Sequence, residues 1–253
     1  MIDQNNPIFK TESAEMLQAF QHAQDNFKYF WREMYWEYRR IIPAFDIAYV
    51  KIAFSQQTAD PENPLVEFMW INEVEFDGEN ITGILLNEPY EIDNVEAGQQ
   101  VNIPLNNLVD WMFVSMDEVY GAFSIQEYRK TLNPQQRQDY DHAWNINFAD
   151  PKQIYVVHGQ KLHPEYLIEH PMSNNLKDKI AEHLRNAPEL LTKRDDSGNC
   201  FLHREAIAGN ASNIEIALRL GAQADLKNKL GKTALDYAMQ MNWSHLLPIL
   251  NPA

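Results

Sequence analysis

Carboxylates at alternate positions distinguish one stretch of this sequence. Glu73, Glu75 and Asp77 are two residues apart, and side chains at that spacing share one face of a β-strand. Such crowding favours a cation or a basic partner, and a solvated sheet face is the plain alternative. Asp110 directly precedes Trp111, which predicts either an acid beside an aromatic surface or a structural turn acid.

Other patterns that carry chemistry are missing from the sequence. It contains no phosphate loop, dinucleotide fingerprint, nucleophile elbow or zinc-type histidine pair. His158, His163 and His170 are spaced too irregularly for one helical metal face. We expect His203 to act as a capping hydrogen bonder and Cys200 to be buried and inert. The sequence therefore predicts no catalytic residue, no metal and no cofactor, and a protein that is not an enzyme.

The formal net charge of −15 is concentrated in residues 52–128, which we call the acidic segment. This segment contains 15 carboxylates and no Lys, Arg or His, while the other 21 acidic residues balance the 21 Lys and Arg. Its negative field predicts a docking surface for a basic partner, or a surface that only maintains solubility. The same field should repel nucleic acid and anionic membranes. The predicted partner-binding residues are Glu67, Glu73, Glu75, Asp77, Glu79, Glu88, Glu91, Asp93, Asp110 and Trp111.

Several features predict a cytoplasmic location. The single cysteine suits a reducing compartment. The first residues lack the basic start and apolar run of a signal peptide, and no apolar stretch approaches the roughly 20 residues needed to cross a bilayer.

Hydrophobic spacing predicts an α+β domain over residues 1–165. Apolar residues recur at three- and four-residue steps over 12–40, which indicates a long helix that Thr11 or Ser13 caps. Strands are expected at 48–54, 66–76, 81–86, 101–103, 111–115 and 154–157, and helices at 124–132 and 134–144. One helix followed by hairpin-linked strands predicts an antiparallel sheet.

One internal repeat lies near the end of the sequence. Gly198 matches Gly231 and Leu202 matches Leu235, an offset of 33 residues. The first copy of the repeat ends in Leu-Gly-Ala at 220–222. This pattern resembles the ankyrin repeat. The resemblance implies an all-α ankyrin-repeat array over residues 173–253, with about two full units after a degenerate leading unit.

A second resemblance covers roughly residues 15–155. Its landmarks are 30–34, 39–44, 50–54, 67–70, Gly83, Asn87, Pro89, Gly98, Val101, 110–111 and Gly121. Their order and spacing resemble the bacterial domain-of-unknown-function family 2314, often fused to ankyrin repeats. The family has no established activity and implies no catalytic residues. Such fusions resemble immunity proteins encoded beside antibacterial toxins.

The expectation is therefore an immunity protein that occludes a basic cognate toxin, such as a type VI or contact-dependent effector. Two alternatives stay open at this point. One is a general protein-interaction scaffold, and the other is an unrecognised hydrolase that uses Glu73 or Asp110.

Overall fold

A computed structural model describes residues 12–60 and 62–251 of the chain. The helices are α1 Ala14–Glu37, α2 Phe123–Lys130, α3 Pro134–Trp144, α4 Pro171–Asn175, α5 Lys177–Asn186, α6 Phe201–Ala208, α7 Ala211–Arg219, α8 Ala234–Gln240 and α9 Leu247–Leu250. The strands are β1 Ile47–Gln56, β2 Leu65–Phe76, β3 Asn80–Leu85, β4 Gln100–Pro104, β5 Leu108–Ser115 and β6 Glu118–Gly121. No helix in the described ranges has the length and apolar character that a bilayer crossing requires.

The chain divides into two compact units, and the division falls within α1. The first unit contains the residues up to Phe30 together with Arg40–His158. The second unit contains Trp31–Arg39 together with the residues from Gly159 onward.

The first unit is built on one six-stranded antiparallel sheet with the strand order β4-β3-β2-β1-β5-β6. Neighbouring residues of β5 point to opposite faces of the sheet. On one face, the Trp111 indole donates to the Ala23 carbonyl of α1 over 2.8 Å. On the other face, Met112 belongs to a buried cluster that includes Ile125 of α2 and Phe148.

The start of α1 lies beside its predicted position. Ser13 Oγ accepts a hydrogen bond from the Met16 amide at 3.2 Å, as expected of a cap, and Thr11 lies outside the described residues. The helix ends at Glu37, three residues before its predicted end at residue 40. Phe20, Ala23 and Phe27 are buried in the first unit because the apolar spacing keeps them on one side of the helix.

The predicted fold class requires correction. The described residues are α+β with a six-stranded antiparallel sheet, and the helices that follow the sheet are too short to form the predicted ankyrin array. The aligned Gly198 and Gly231 both have positive φ, so a local turn recurs. The helices after it do not recur equally: α6 and α7 have eight and nine residues, whereas α8 has seven and α9 four. Proline, which lacks the amide donor, stands in the first turn of α9 and marks a new helix start there.

The strands also differ from the prediction in two places. Residues 118–121 form the unpredicted edge strand β6, and residues 154–157 form no strand. The Tyr155 carbonyl nevertheless accepts a hydrogen bond from the Gly121 amide at 2.8 Å, so this segment lies beside the end of β6.

We predict that Gly121→Ala destabilises the first unit. Gly121 has φ +75°, and an added Cβ would come within 2.4 Å of the Trp111 carbonyl oxygen. Left-handed strain costs about 1 to 2 kcal/mol, and overpacking adds about 1 to 3 kcal/mol. Gly98→Ala is the matched control because Gly98 has φ +81° and open space around it. Chemical denaturation should show the larger loss of unfolding free energy for Gly121→Ala, and equal losses would contradict the packing argument.

Candidate protein-binding surface

The predicted partner-binding residues occupy three separate places in the first unit. Glu73, Glu75, Asp77 and Glu79 lie at the β2–β3 hairpin, Glu67, Glu88, Glu91 and Asp93 lie at the other end of β2, and Asp110 and Trp111 lie inside β5. Glu67 and Glu75 are eight residues apart on β2, which is roughly 26 Å in an extended strand. The structure therefore does not bring the set together into one surface.

Asp110 and Trp111 are buried and inaccessible to a partner in this conformation. Asp110 accepts hydrogen bonds from the Phe123 amide at 2.9 Å and the Ser124 amide at 2.8 Å. It also accepts from Ser124 Oγ at 2.6 Å and the Trp111 amide at 2.8 Å. These donors include the first amides of α2, which have no partner inside the helix. Asp110 thus caps α2, which is a structural role.

Burial and charge act in opposite directions on Asp110. Burial raises the pKa of its carboxyl group, while the Ser124 hydroxyl and the charge of Lys51 oppose that shift. Burial likewise lowers the pKa of Lys51, against the attraction of Asp110. Burial therefore disfavours both the Asp110 carboxylate and the Lys51 ammonium, and the attraction between the two charges offsets part of that cost.

The β2–β3 hairpin presents two of its carboxylates to solvent. Glu73 and Glu75 are exposed, whereas the intervening Val74 is buried. Glu73 has φ +49° within a break in the β2–β3 register, so the strand is irregular at this position. Asp77 has a local role, because its Oδ1 accepts from the Glu79 and Asn80 amides at 2.8 and 2.7 Å and closes the turn.

A loop between β3 and β4, residues 86–99, carries the other acidic group. Glu67 of β2 holds this loop, because its carboxylate accepts hydrogen bonds from the Tyr90 amide at 3.0 Å and the Glu91 amide at 3.1 Å. The Asp93 amide donates to Gln56 Oε1 at 2.7 Å. These bonds fix the backbone of the 86–99 loop against the ends of β1 and β2.

The fixed loop displays an aromatic side chain among carboxylates. Tyr90 is 91% exposed, and Glu88, Glu91 and Asp93 are also exposed. In the part of the chain that the structure describes, no Lys, Arg or His forms an ion pair with these three acids. An exposed tyrosine can serve as a binding anchor, and unpaired charge around it accelerates the approach of a basic surface. Sequence reasoning missed Tyr90, although its position between Pro89 and Glu91 in a turn region was a usable signal.

His203 and Cys200 have structural partners. His203 Nε2 donates to the Lys232 carbonyl at 2.9 Å, so Nδ1 is the acceptor for the Cys200 amide at 3.2 Å and for Cys200 Sγ at 2.9 Å. Burial raises the pKa of Cys200, the His203 bonds lower it, and the net shift is downward. Both side chains are buried. Across residues 12–60 and 62–251, no group of three or more His, Cys, Asp or Glu is arranged to hold a metal ion.

Comparison with known proteins gives three similarities. Residues 13–148 match DUF2314, described as uncharacterized proteins conserved in bacteria. A protein of Neisseria meningitidis serogroup B, whose name provisionally calls it an ankyrin repeat protein, is 42% identical over 97% of each chain. The uncharacterized Escherichia coli K12 protein YegJ is 32% identical over 59 residues, which are 23% of this chain and 39% of YegJ. No solved structure matches the chain.

We predict that Glu67→Ala loosens the 86–99 loop without unfolding the sheet. Removing the acceptor of the Tyr90 and Glu91 amides should speed their hydrogen exchange by roughly tenfold, the equivalent of about one hydrogen bond. Exchange measured residue by residue by NMR checks this. Glu75→Ala is the control, because that carboxylate is exposed on the same strand. Unchanged exchange at Tyr90 would mean that Glu67 does not hold the loop.

Proposed function

The chain belongs to the uncharacterized bacterial family DUF2314, and we propose that it works by binding another protein rather than by catalysis. The observation that carries the proposal is the 86–99 loop, where Glu67 fixes the backbone and Tyr90 is exposed among unpaired carboxylates. The name of the meningococcal relative supports the same use, because ankyrin repeats commonly serve in protein binding.

The partner that fits this surface is a basic protein. Three exposed carboxylates attract Lys and Arg side chains, and they repel the phosphates of nucleic acids and of anionic lipids. We propose more narrowly that the partner is a cognate antibacterial toxin, such as a type VI or contact-dependent effector. The chain would act in the cytoplasm as its immunity protein and occlude the toxin.

The two alternatives differ in the support that the exposed surface and the acidic residues give them. A general scaffold without a toxin partner would use the same surface and differs only in how many partners it binds. An unrecognised hydrolase gains no support from Glu73, whose side chain is exposed at an irregular position of β2, or from Asp110, which four protein donors already occupy.

The toxin proposal is tested with the product of the neighbouring gene. Co-expression should rescue cells from that protein, and the purified proteins should form a complex in a pull-down. Failure of both would end the toxin proposal. Capture of several unrelated proteins from the native host, without rescue, would favour the scaffold.

We predict that two kinds of change at the 86–99 loop weaken the complex differently. Glu88→Lys with Glu91→Lys should slow association about tenfold or more at low salt, and added salt should reduce the difference. Tyr90→Ala should mainly speed dissociation, with a loss of about 2 kcal/mol if the ring is an anchor. Biolayer interferometry over a salt series separates the two rates.

The matched control for charge reversal is Glu73→Lys with Glu75→Lys. It changes the net charge equally on exposed residues at the other end of β2. We expect a much smaller effect on association there. Equal effects from both pairs would show that overall charge, not the 86–99 loop, drives binding.

A further inference from the structure

The second unit contains a partly open, mostly apolar cavity of about 310 Å³. Its apolar lining comes from Trp36 of α1, from α5, from the 3₁₀ turn Pro188–Leu191 and from Phe201 of α6. The volume is at the lower end of the range of small-molecule sites, about 300 to 1,000 Å³.

The lining is divided between a buried base and half-buried walls. Trp36 and Leu184 are buried, whereas Leu176, Ile180, Leu190 and Phe201 keep part of their apolar surface accessible. Accessible apolar surface inside a cavity is unfavourable, and an apolar ligand that covers it gains about 25 cal/mol per Å². The walls therefore favour a ligand with an apolar body.

The polar side chains that line the cavity are all basic. Arg39, His183 and Arg204 line it together with the apolar residues, and no Asp or Glu does. Arg39 is held in place, since its guanidinium bonds Glu205 at 2.7 Å and stacks over the Tyr35 ring at 4.0 Å.

Arg204 supplies the more available charge at the rim. Its Nη1 donates to the Asn199 carbonyl at 2.9 Å, and the nearest carboxylate oxygen, on Asp195, is 3.9 Å away. A guanidinium has five donors, so the backbone bond positions it and leaves other N–H groups for an anion. Arginine donors suit a carboxylate because the two groups can pair through parallel hydrogen bonds.

From the apolar walls and the cationic rim, we infer that this cavity binds a small amphipathic organic carboxylate. The apolar body lies against Ile180, Leu190 and Phe201, and the carboxylate meets Arg204 at the mouth. A purely polar anion would leave the apolar walls uncovered, and an organic cation would meet the arginines. The inference does not depend on the protein partner proposed above.

The test titrates the full-length protein with decanoate, below its micelle concentration, and with decanol as the uncharged match. Isothermal titration calorimetry should show one saturable decanoate site and weaker decanol binding. Arg204→Gln should weaken decanoate about tenfold and leave decanol unchanged, because it removes only the charged contact. Ile180→Phe should weaken both ligands by filling the cavity.

Two controls keep the result interpretable. Lys177→Gln removes an exposed cation from α5 outside this cavity and should leave decanoate binding unchanged. Circular dichroism establishes that each variant is folded, and Arg204→Lys should restore part of the decanoate affinity if charge is what matters.

Three outcomes would overturn the inference. One is the absence of saturable decanoate binding to the wild-type protein. The second is binding that Ile180→Phe leaves intact. The third is equal affinity for decanoate and decanol, which would show that the basic side chains do not select a carboxylate.

Discussion

A buried carboxylate organises each unit of this protein. A desolvated acid is costly unless donors surround it, so the elements that supply those donors must be placed to reach it. Asp110 collects its donors from β5 and the start of α2. Glu205 accepts from Tyr35, Arg39, Asn210 and Asn213, each at 2.7 or 2.8 Å. Burial raises the pKa of Tyr35 well above its ordinary value and Glu205 adds to the shift, so this hydroxyl stays protonated and donates.

The same requirement divides the acidic segment into two classes. Asp110, Asp77 and Glu67 accept backbone amides, and their charge is used to shape a helix start, a turn and a loop. Glu88 and Glu91 have exposed side chains, and they contribute a negative electrostatic potential at the surface. Charge counting treats all of these residues alike because it contains no information on donors. The binding surface is therefore smaller than the acidic segment, and its shape depends on acids that do not themselves face a partner.

Sequence patterns located most elements of the first unit and fewer of the second. The apolar spacing of α1 is a strong signal because it buries one continuous face. In β2, exposed and buried residues alternate only over the last four residues, 73–76. The strand β6 was missed because its four residues include Glu118 and Gly121, which carry little strand preference. The bulge at Glu73 has no sequence marker. The predicted array failed because a recurring glycine turn at Gly198 and Gly231 indicates a repeated turn and does not determine the lengths of the helices that follow.

The candidate sites differ in how far sequence could reach them. The exposed acids at 88–93 were predicted from charge, but the supporting role of Glu67 required the fold. The cavity rim was invisible to sequence because Arg39, His183 and Arg204 are far apart in the chain. The charge of the two arginines is also hidden in a total of −15. At about 0.1 M salt, exposed charges are screened beyond roughly 10 Å, so a local cationic rim can select an anion despite that total. Net charge thus describes long-range approach at low salt, whereas the residues lining each site determine what binds there.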